Sequence, residues 1–150
     1  MKTGDQVPDF ELPDQDGVAR KLSDLLAQGP VVLFFYPAAM TAGCTKESCH
    51  FRDLAAEFAT VGAQRVGISS DAVDKQRQFS EKHGFDYPLL SDVDRTVASA
   101  FGVKRGGISI TPVKRSTFVI DKDLEVLSVI KSEVNMNKHA DQALAALRQA

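Results

Sequence analysis

The residues best suited to covalent chemistry in this 150-residue chain are its two cysteines, Cys44 and Cys49. Both fall in the stretch Tyr36-Pro37-Ala38-Ala39-Met40-Thr41-Ala42-Gly43-Cys44-Thr45-Lys46-Glu47-Ser48-Cys49, which continues the apolar run 31–36 (VVLFFY). The thiolate is the reactive form of cysteine, and a free thiol with a pKa of about 8.5 is only a few per cent ionised at pH 7. Cys44 opens a predicted helix, where unpaired backbone N–H groups and the helix dipole favour negative charge. Helix placement alone is a modest aid, so a further cation is wanted. Arg115, which introduces the predicted strand 116–120, is the candidate to reach the same sheet edge. By count alone two cysteines read as small buried hydrophobes. The strand-to-helix junction is what marks Cys44 out, whereas for Cys49 a packing role stands beside a chemical one.

The neighbouring polar residues have ordinary readings as well. Thr41 suits a helix cap, Glu47 suits a first-turn helix acid, and Arg115 could be a salt-bridged strand-end arginine. Cys44, Cys49 and His50 suggest zinc, but structural zinc takes paired ligands two to four residues apart from two segments, and the second pair is absent. His83, before Gly84, reads as a cation at a helix C-terminus, and His139 as an ordinary residue at a helix start.

These residues need a scaffold, and the pattern supplies one. Pro8, Pro13 and the turn at 14–17 imply short strands leading to a first helix at 21–27. The run 31–36, bounded by Pro30 and Pro37, reads as a strand buried on both faces and central in a sheet. A helix over 44–60 follows, with Phe51, Leu54, Ala55 and Phe58 at helical spacing. Then come a strand at 65–69, a helix at 74–83, a strand at 88–90 and a short helix at 96–101. After a glycine-containing loop at 104–112, strands 116–120 and 124–131 flank Asp121-Lys122-Asp123 as a hairpin, and a helix over 139–148 closes the chain. The order is that of a thioredoxin-like α/β sandwich, a central mixed β-sheet flanked by helices.

With 43% hydrophobic and 25% charged residues, and no repeat or linker composition, one domain over 1–150 is expected. A chain of this length buries roughly 70% of its unfolded surface and folds without disulfide or metal staples. Eighteen basic against twenty acidic residues give a net charge of −2, with no basic stripe for a nucleic-acid backbone. No apolar run is long enough to span a bilayer, so a soluble, cytoplasmic protein with no membrane partner is expected. In a reducing cytosol, two close cysteines point to redox or metal chemistry.

Pro37-x-x-x-Thr41-x-x-Cys44 resembles the active-site signature of the peroxiredoxins. The second cysteine, in Cys44-Thr45-Lys46-Glu47-Ser48-Cys49, resembles the bacterioferritin comigratory protein or peroxiredoxin Q branch. Val7-Pro8-Asp9-Phe10, Phe51-Arg52-Asp53, Tyr87-Pro88-Leu89-Leu90-Ser91-Asp92, Phe101-Gly102-Val103 and Arg115-Ser116-Thr117-Phe118-Val119-Ile120-Asp121 agree with it, so the likeness covers essentially the whole chain. The resemblance implies a thiol peroxidase without cofactor. Cys44 is then the peroxidatic nucleophile and Cys49 the resolving cysteine, with Thr41 orienting the peroxide, Pro37 shielding the thiolate and Arg115 polarising the pocket. Thioredoxin or a similar dithiol is the implied reductant. Ala42 and Ala38 depart from the branch, where a Pro and a longer polar residue are common, which touches loop stiffness and substrate preference.

Geometry adds a demand of its own. Five residues along a helix give about 7.5 Å of rise and roughly 140° of rotation, hence Cα atoms about 8–9 Å apart. Bridging without backbone movement stops near roughly 7 Å, so a disulfide between these cysteines requires the first turns to unwind. Two rivals stay open. A thiol–disulfide oxidoreductase fits the fold but lacks Cys-x-x-Cys; a binding module with redox-sensitive cysteines lacks a legible apolar patch. Resolution within one helix needs no second subunit, so a monomer is expected, with a dimer built on 104–112 as the alternative.

Overall fold

A computed structural model describes residues 1–106 and 111–149. A small ribbon comes first, β1 (Glu11–Pro13) paired antiparallel with β2 (Ala19–Lys21). The Asp14 carboxylate closes its turn, accepting from the N–H groups of Asp16 and Val18 and from Arg20 Nε at 2.8 to 3.0 Å. The main elements follow as α1 (Leu22–Leu26), β3 (Val31–Phe35), α2 (Ala42–Asp53), α3 (Ala55–Thr60), β4 (Gln64–Ser69), α4 (Val73–His83), β5 (Leu89–Ser91), α5 (Thr96–Ala100), β6 (Ser116–Ile120), β7 (Val126–Lys131) and α6 (Met136–Arg148).

The sheet runs β5-β4-β3-β6-β7. Strands β3, β4 and β5 are parallel, while β6 and β7 join antiparallel. Strand β3 is central, and all five of its residues are buried. Its alternation sorts the core into two layers, as a period-two strand must. Val31, Leu33 and Phe35 pack with Leu22, Leu25 and Leu26 of α1 and Val97 and Ala98 of α5. Val32, Phe34 and Tyr36 pack with Phe51 of α2, Phe58 of α3, Phe79 of α4 and Leu144 of α6. Phe34 lies flat on Phe51, with centroids 4.1 Å apart and planes at 7°, which fixes α2 over the end of the strand. This is the thioredoxin-like sandwich that the element order predicts.

Several expected boundaries shift by a residue or two, among them the start of α2 at Ala42 rather than 44, and three larger differences have a local reason. The helix expected over 44–60 is two helices, because Leu54 leaves helical geometry (φ −96°, ψ 21°), and beside the break the Phe51 carbonyl accepts from Arg65 Nη1 at 2.9 Å. Strand β7 begins at Val126 rather than 124, since Leu124 takes a positive φ of 62°. The last helix begins three residues early, at Met136, where the Asn135 side chain accepts from the Lys138 N–H; this is a standard N-cap. The loop at 104–112 has its ends joined by the Lys104–Val113 bridge, and 107–110, part of the segment considered for a dimer, lie outside the described residues. Among the described residues no helix is long and apolar enough to cross a membrane.

Candidate active site

Strand β3 delivers the chain to a tight loop at the carboxyl end of the sheet. Asp71, just past β4, braces that loop, accepting from the Ala39 N–H and the Ser69 hydroxyl at 2.7 Å each. Met40 turns the chain with φ 71°. Thr41 is the N-cap residue of α2, but its side chain caps nothing; its exposed hydroxyl donates to the Ala38 carbonyl at 2.7 Å. The opening turn of α2 therefore has no side-chain cap, and its N–H groups remain free to face an anion. Cys44 is third in the helix and fully buried, and Pro37 is buried behind the loop.

Arg115 arrives from the opposite direction. Ser116 stands across from Phe35 in the antiparallel β3–β6 register, so Arg115 sits level with the loop that leaves β3. Its Nη2 lies 3.3 Å from Cys44 Sγ and its Nη1 2.8 Å from Glu47 Oε1. Its backbone N–H donates to Glu133 Oε2 at 2.9 Å. Gly43 makes room for this approach: a Cβ there would meet Nη2 at 3.3 Å. The structure thus brings Cys44, Arg115, Pro37 and Thr41 to one end of the sheet.

Cys49 lies on the same helix but off its buried stripe of Cys44, Glu47, Ser48 and Phe51. It is half-buried, and both thiols are free. Burial raises the Cys49 thiol above its ordinary range, with Arg52 opposing and Asp53 adding. The two sulfurs therefore meet different surroundings: Cys44 touches a guanidinium at the open start of a helix, and Cys49 sits mid-helix where burial favours the neutral thiol.

Two expectations need correction. Glu47 is not a first-turn helix acid: it lies in the second turn of α2 and is wholly buried, on Arg115 at one oxygen and 3.6 Å from His139 Nδ1 at the other. Burial outweighs the guanidinium and raises its pKa to about 8. His139 is likewise no ordinary helix-start residue. It is wholly buried, with Nδ1 2.7 Å from the Thr117 hydroxyl and Nε2 2.9 Å from the Ser132 carbonyl. Each left a faint signal. Glu47 is one turn on from Cys44, and with α6 begun at Met136 the buried stripe Met136, His139, Ala140, Ala143, Leu144, Leu147 includes the histidine. His50 instead pairs with Asp141 on the surface at 2.7 Å, and His83 ends α4 before the left-handed Gly84. No group of metal-ligating side chains occurs among the described residues.

The AhpC/TSA family profile matches residues 3–129. Peroxidoxin BcpB from Mycobacterium tuberculosis superposes with a TM-score of 0.95 at 68% identity, covering 99% of this chain and 97% of that one. Peroxiredoxin Bcp of Bacillus subtilis is 38% identical over 152 residues, 99% of this chain and 96% of that protein. The bacterioferritin comigratory protein of Xanthomonas campestris, whose structures concern its alkyl peroxide reduction activity, superposes with a TM-score of 0.85 at 33% identity over 93% of this chain and 90% of its own. This chain belongs to the AhpC/TSA family, as a peroxiredoxin of the bacterioferritin comigratory protein and peroxiredoxin Q branch.

Proposed function

We propose that this thiol peroxidase uses Cys44 as its nucleophile and Cys49 to resolve the product. The observation that carries the assignment is the approach of Arg115 to Cys44 Sγ at 3.3 Å, at the uncapped start of α2. The Cys44 thiolate attacks one peroxide oxygen, the O–O bond breaks, and the leaving oxygen takes a proton to depart as water or an alcohol, giving a sulfenic acid at Cys44. The negative charge moves from sulfur towards the leaving oxygen, and Arg115 with the first-turn N–H groups faces that path. Thr41, donating to Ala38, keeps lone pairs to accept the peroxide O–H. Pro37 offers no N–H and keeps water from the sulfur.

The Cys49 thiol then condenses with the sulfenic acid, water leaves and a disulfide forms. An external dithiol, thioredoxin or similar, reduces it by exchange. Hydrogen peroxide and organic hydroperoxides are the substrates of this reading. Both core layers rest on one sheet, which supports a single domain over 1–150. A monomer in the cytoplasm, where dithiol reductants are plentiful, completes the proposal.

The test is stopped-flow oxidation of the reduced protein with hydrogen peroxide, quenched for thiol titration and intact mass. Wild type should lose both thiols and the mass of two hydrogens. Cys44→Ser should not react, and Cys49→Ser should stop at a trappable sulfenic acid. Equal, slow thiol loss in all three would overturn the assignment.

A further inference from the structure

The loop that carries Thr41 is held from outside by a chain of hydrogen bonds that the reaction above leaves unused. The chain starts at Tyr36, whose wholly buried hydroxyl donates to Gln76 Oε1 on α4. Burial pushes that hydroxyl well above its ordinary range, so it remains a donor. The Gln76 amide is oriented by the Leu90 carbonyl at 2.8 Å, which can only accept, so Nε2 is the atom beside it. The same Nε2 donates to Ser69 Oγ at 2.9 Å. Ser69 Oγ receives a second donor, the Asp71 N–H at 3.3 Å, so its single hydrogen goes on to Asp71 Oδ2 at 2.7 Å. Gln76 and Ser69 are both buried, and the chain runs one way, from Tyr36 to one carboxylate oxygen.

That oxygen also accepts the Ala39 N–H, at 2.7 Å, and this N–H shares a peptide plane with the Ala38 carbonyl. In a trans peptide the two groups point in opposite directions and turn together. On the far side, the Thr41 hydroxyl donates to the Ala38 carbonyl at 2.7 Å. Asp71 thus grips one edge of the plane while Thr41 rests on the other. Between Ala39 and Thr41, Met40 takes φ 71°, a left-handed conformation that a residue with a side chain keeps only where its surroundings impose it. We infer that Asp71 is a positioning residue for the peroxide reaction, acting through the 38–39 peptide plane to turn the Thr41 hydroxyl hydrogen to Ala38 and its lone pairs to the substrate. This rests on Thr41 and Cys44 acting as proposed above.

The physical reason is the direction of one hydrogen. A hydroxyl can donate or accept, and a peroxide O–H needs an acceptor. With the plane anchored, the Ala38 oxygen takes the Thr41 hydrogen, and a carboxylate on the N–H edge polarises the carbonyl and strengthens that bond. With the plane free to rotate, the Thr41 hydrogen is free to turn to the incoming peroxide, and a donor stands where an acceptor is wanted. Both donors meet the same Asp71 oxygen, so what the loop requires at this position is an acceptor atom, which an amide also supplies.

The test uses reduced Cys49→Ser protein, so that only the Cys44 step is read, with hydrogen peroxide across pH 6 to 9. Asp71→Ala should slow sulfenic acid formation about tenfold at every pH, the scale of a lost bond to a charged group and a misplaced substrate contact. Asp71→Asn, which offers one carbonyl oxygen to both donors, should recover most of that loss, and the pH midpoint of the reaction should be the same in all three proteins. No rescue by Asp71→Asn, or a midpoint that moves with it, would show that Asp71 acts through its charge and would overturn the inference. In a Thr41→Val background, Asp71→Ala should cost less than about twofold more, because the hydroxyl it orients is gone; a full second loss there would overturn the inference, since damage to the loop alone is indifferent to Thr41. Independently, the Ala39 amide of the wild type should exchange slowly and resonate downfield, and exchange at the rate of an open loop would overturn the inference even if every variant misfolded. No sulfenic acid in any variant, or a Thr41→Val rate equal to that of its parent, would instead overturn the proposed function and this inference with it, whereas failure of the Asp71 variants or of the Ala39 amide overturns this inference alone.

Discussion

Cys44 acts through what surrounds its sulfur, and a residue without a side chain sets that distance. Gly43 is helical, and alanine is the better helix former by about 1 kcal/mol. A methyl at that position would stand 3.3 Å from Arg115 Nη2 and 3.6 Å from Met136 Sδ, tighter than ordinary contact at the nitrogen. The guanidinium has to shift by a few tenths of an ångström, and Nη2, the nitrogen that must give, is the one that donates to sulfur. Gly43→Ala is therefore expected to hold or raise the melting temperature while slowing the peroxide reaction several-fold, about 1 kcal/mol of a weakened charge-assisted bond. Calorimetry and stopped-flow on the same preparation test it, and a rate equal to wild type would show that Arg115 has slack. Much of this site was legible in the sequence: Pro37, Thr41 and Cys44 form a spaced pattern, and Arg115 heads a recognisable strand. The burial of Glu47 and His139 was far harder to read, because a buried acid and a buried imidazole look like surface residues until the helix faces carrying them are known. For His139 a helix start misplaced by three residues hid the face.

At the scale of elements, α2 must both present Cys44 and give way. Its intact form spans Ala42–Asp53 with both cysteines inside, and the roughly 8–9 Å between their Cα atoms exceeds the bridging limit. What holds the helix is unevenly distributed. The Tyr87 hydroxyl donates to the Ser48 carbonyl at 2.7 Å, and Arg65, paired at both nitrogens with Asp86 and lying 5.0 Å from the Tyr87 ring, donates to the Phe51 carbonyl. Phe51 is also stacked on Phe34. Among the described residues the first turn has no comparable backbone clamp, so oxidation should melt the helix from Ala42 through Cys49 and stop at Phe51. Tyr87→Phe, which removes the clamp nearest Cys49, should speed disulfide formation roughly fivefold, the equivalent of about 1 kcal/mol. Quenched-flow mass analysis of the second step reads that rate, and hydrogen exchange of the oxidised protein locates the melted turns. Equal rates, or loss of protection beyond Phe51, would refute this division of the helix. The element order and the central strand were readable from β-rich runs and helical periodicity. The break at Leu54 was not, since the Arg65 contact beside it comes from a distant strand.

The whole molecule feels the burial of Glu47 through its stability. A group whose pKa is raised by folding binds more protons in the native state, so the stability it contributes is full at low pH and is lost as pH rises through the folded pKa. For Glu47 that window runs from its ordinary 4.5 up to about 8. Other groups work in the opposite sense. Asp14 and Asp86 are lowered: burial opposes the Arg20 bond at Asp14, and the Arg65 bond leads at Asp86. Their stabilising effect is present above the ordinary carboxylate range and disappears as pH falls. His139, lowered mainly by burial, must stay neutral in the fold and costs stability below its ordinary 6.5. These contributions level off by about pH 6.5 to 7, whereas Glu47 is still losing its own up to about pH 8. Urea unfolding of the reduced protein should therefore show stability rising from acid pH, passing a maximum near pH 6 and declining towards pH 8. In Glu47→Gln, where nothing titrates at that position, the decline between pH 6.5 and 8 should flatten while the acid limb stays. Parallel curves for the two proteins would mean that Glu47 is already ionised in the fold, and that the thiolate and the carboxylate share Arg115 at neutral pH.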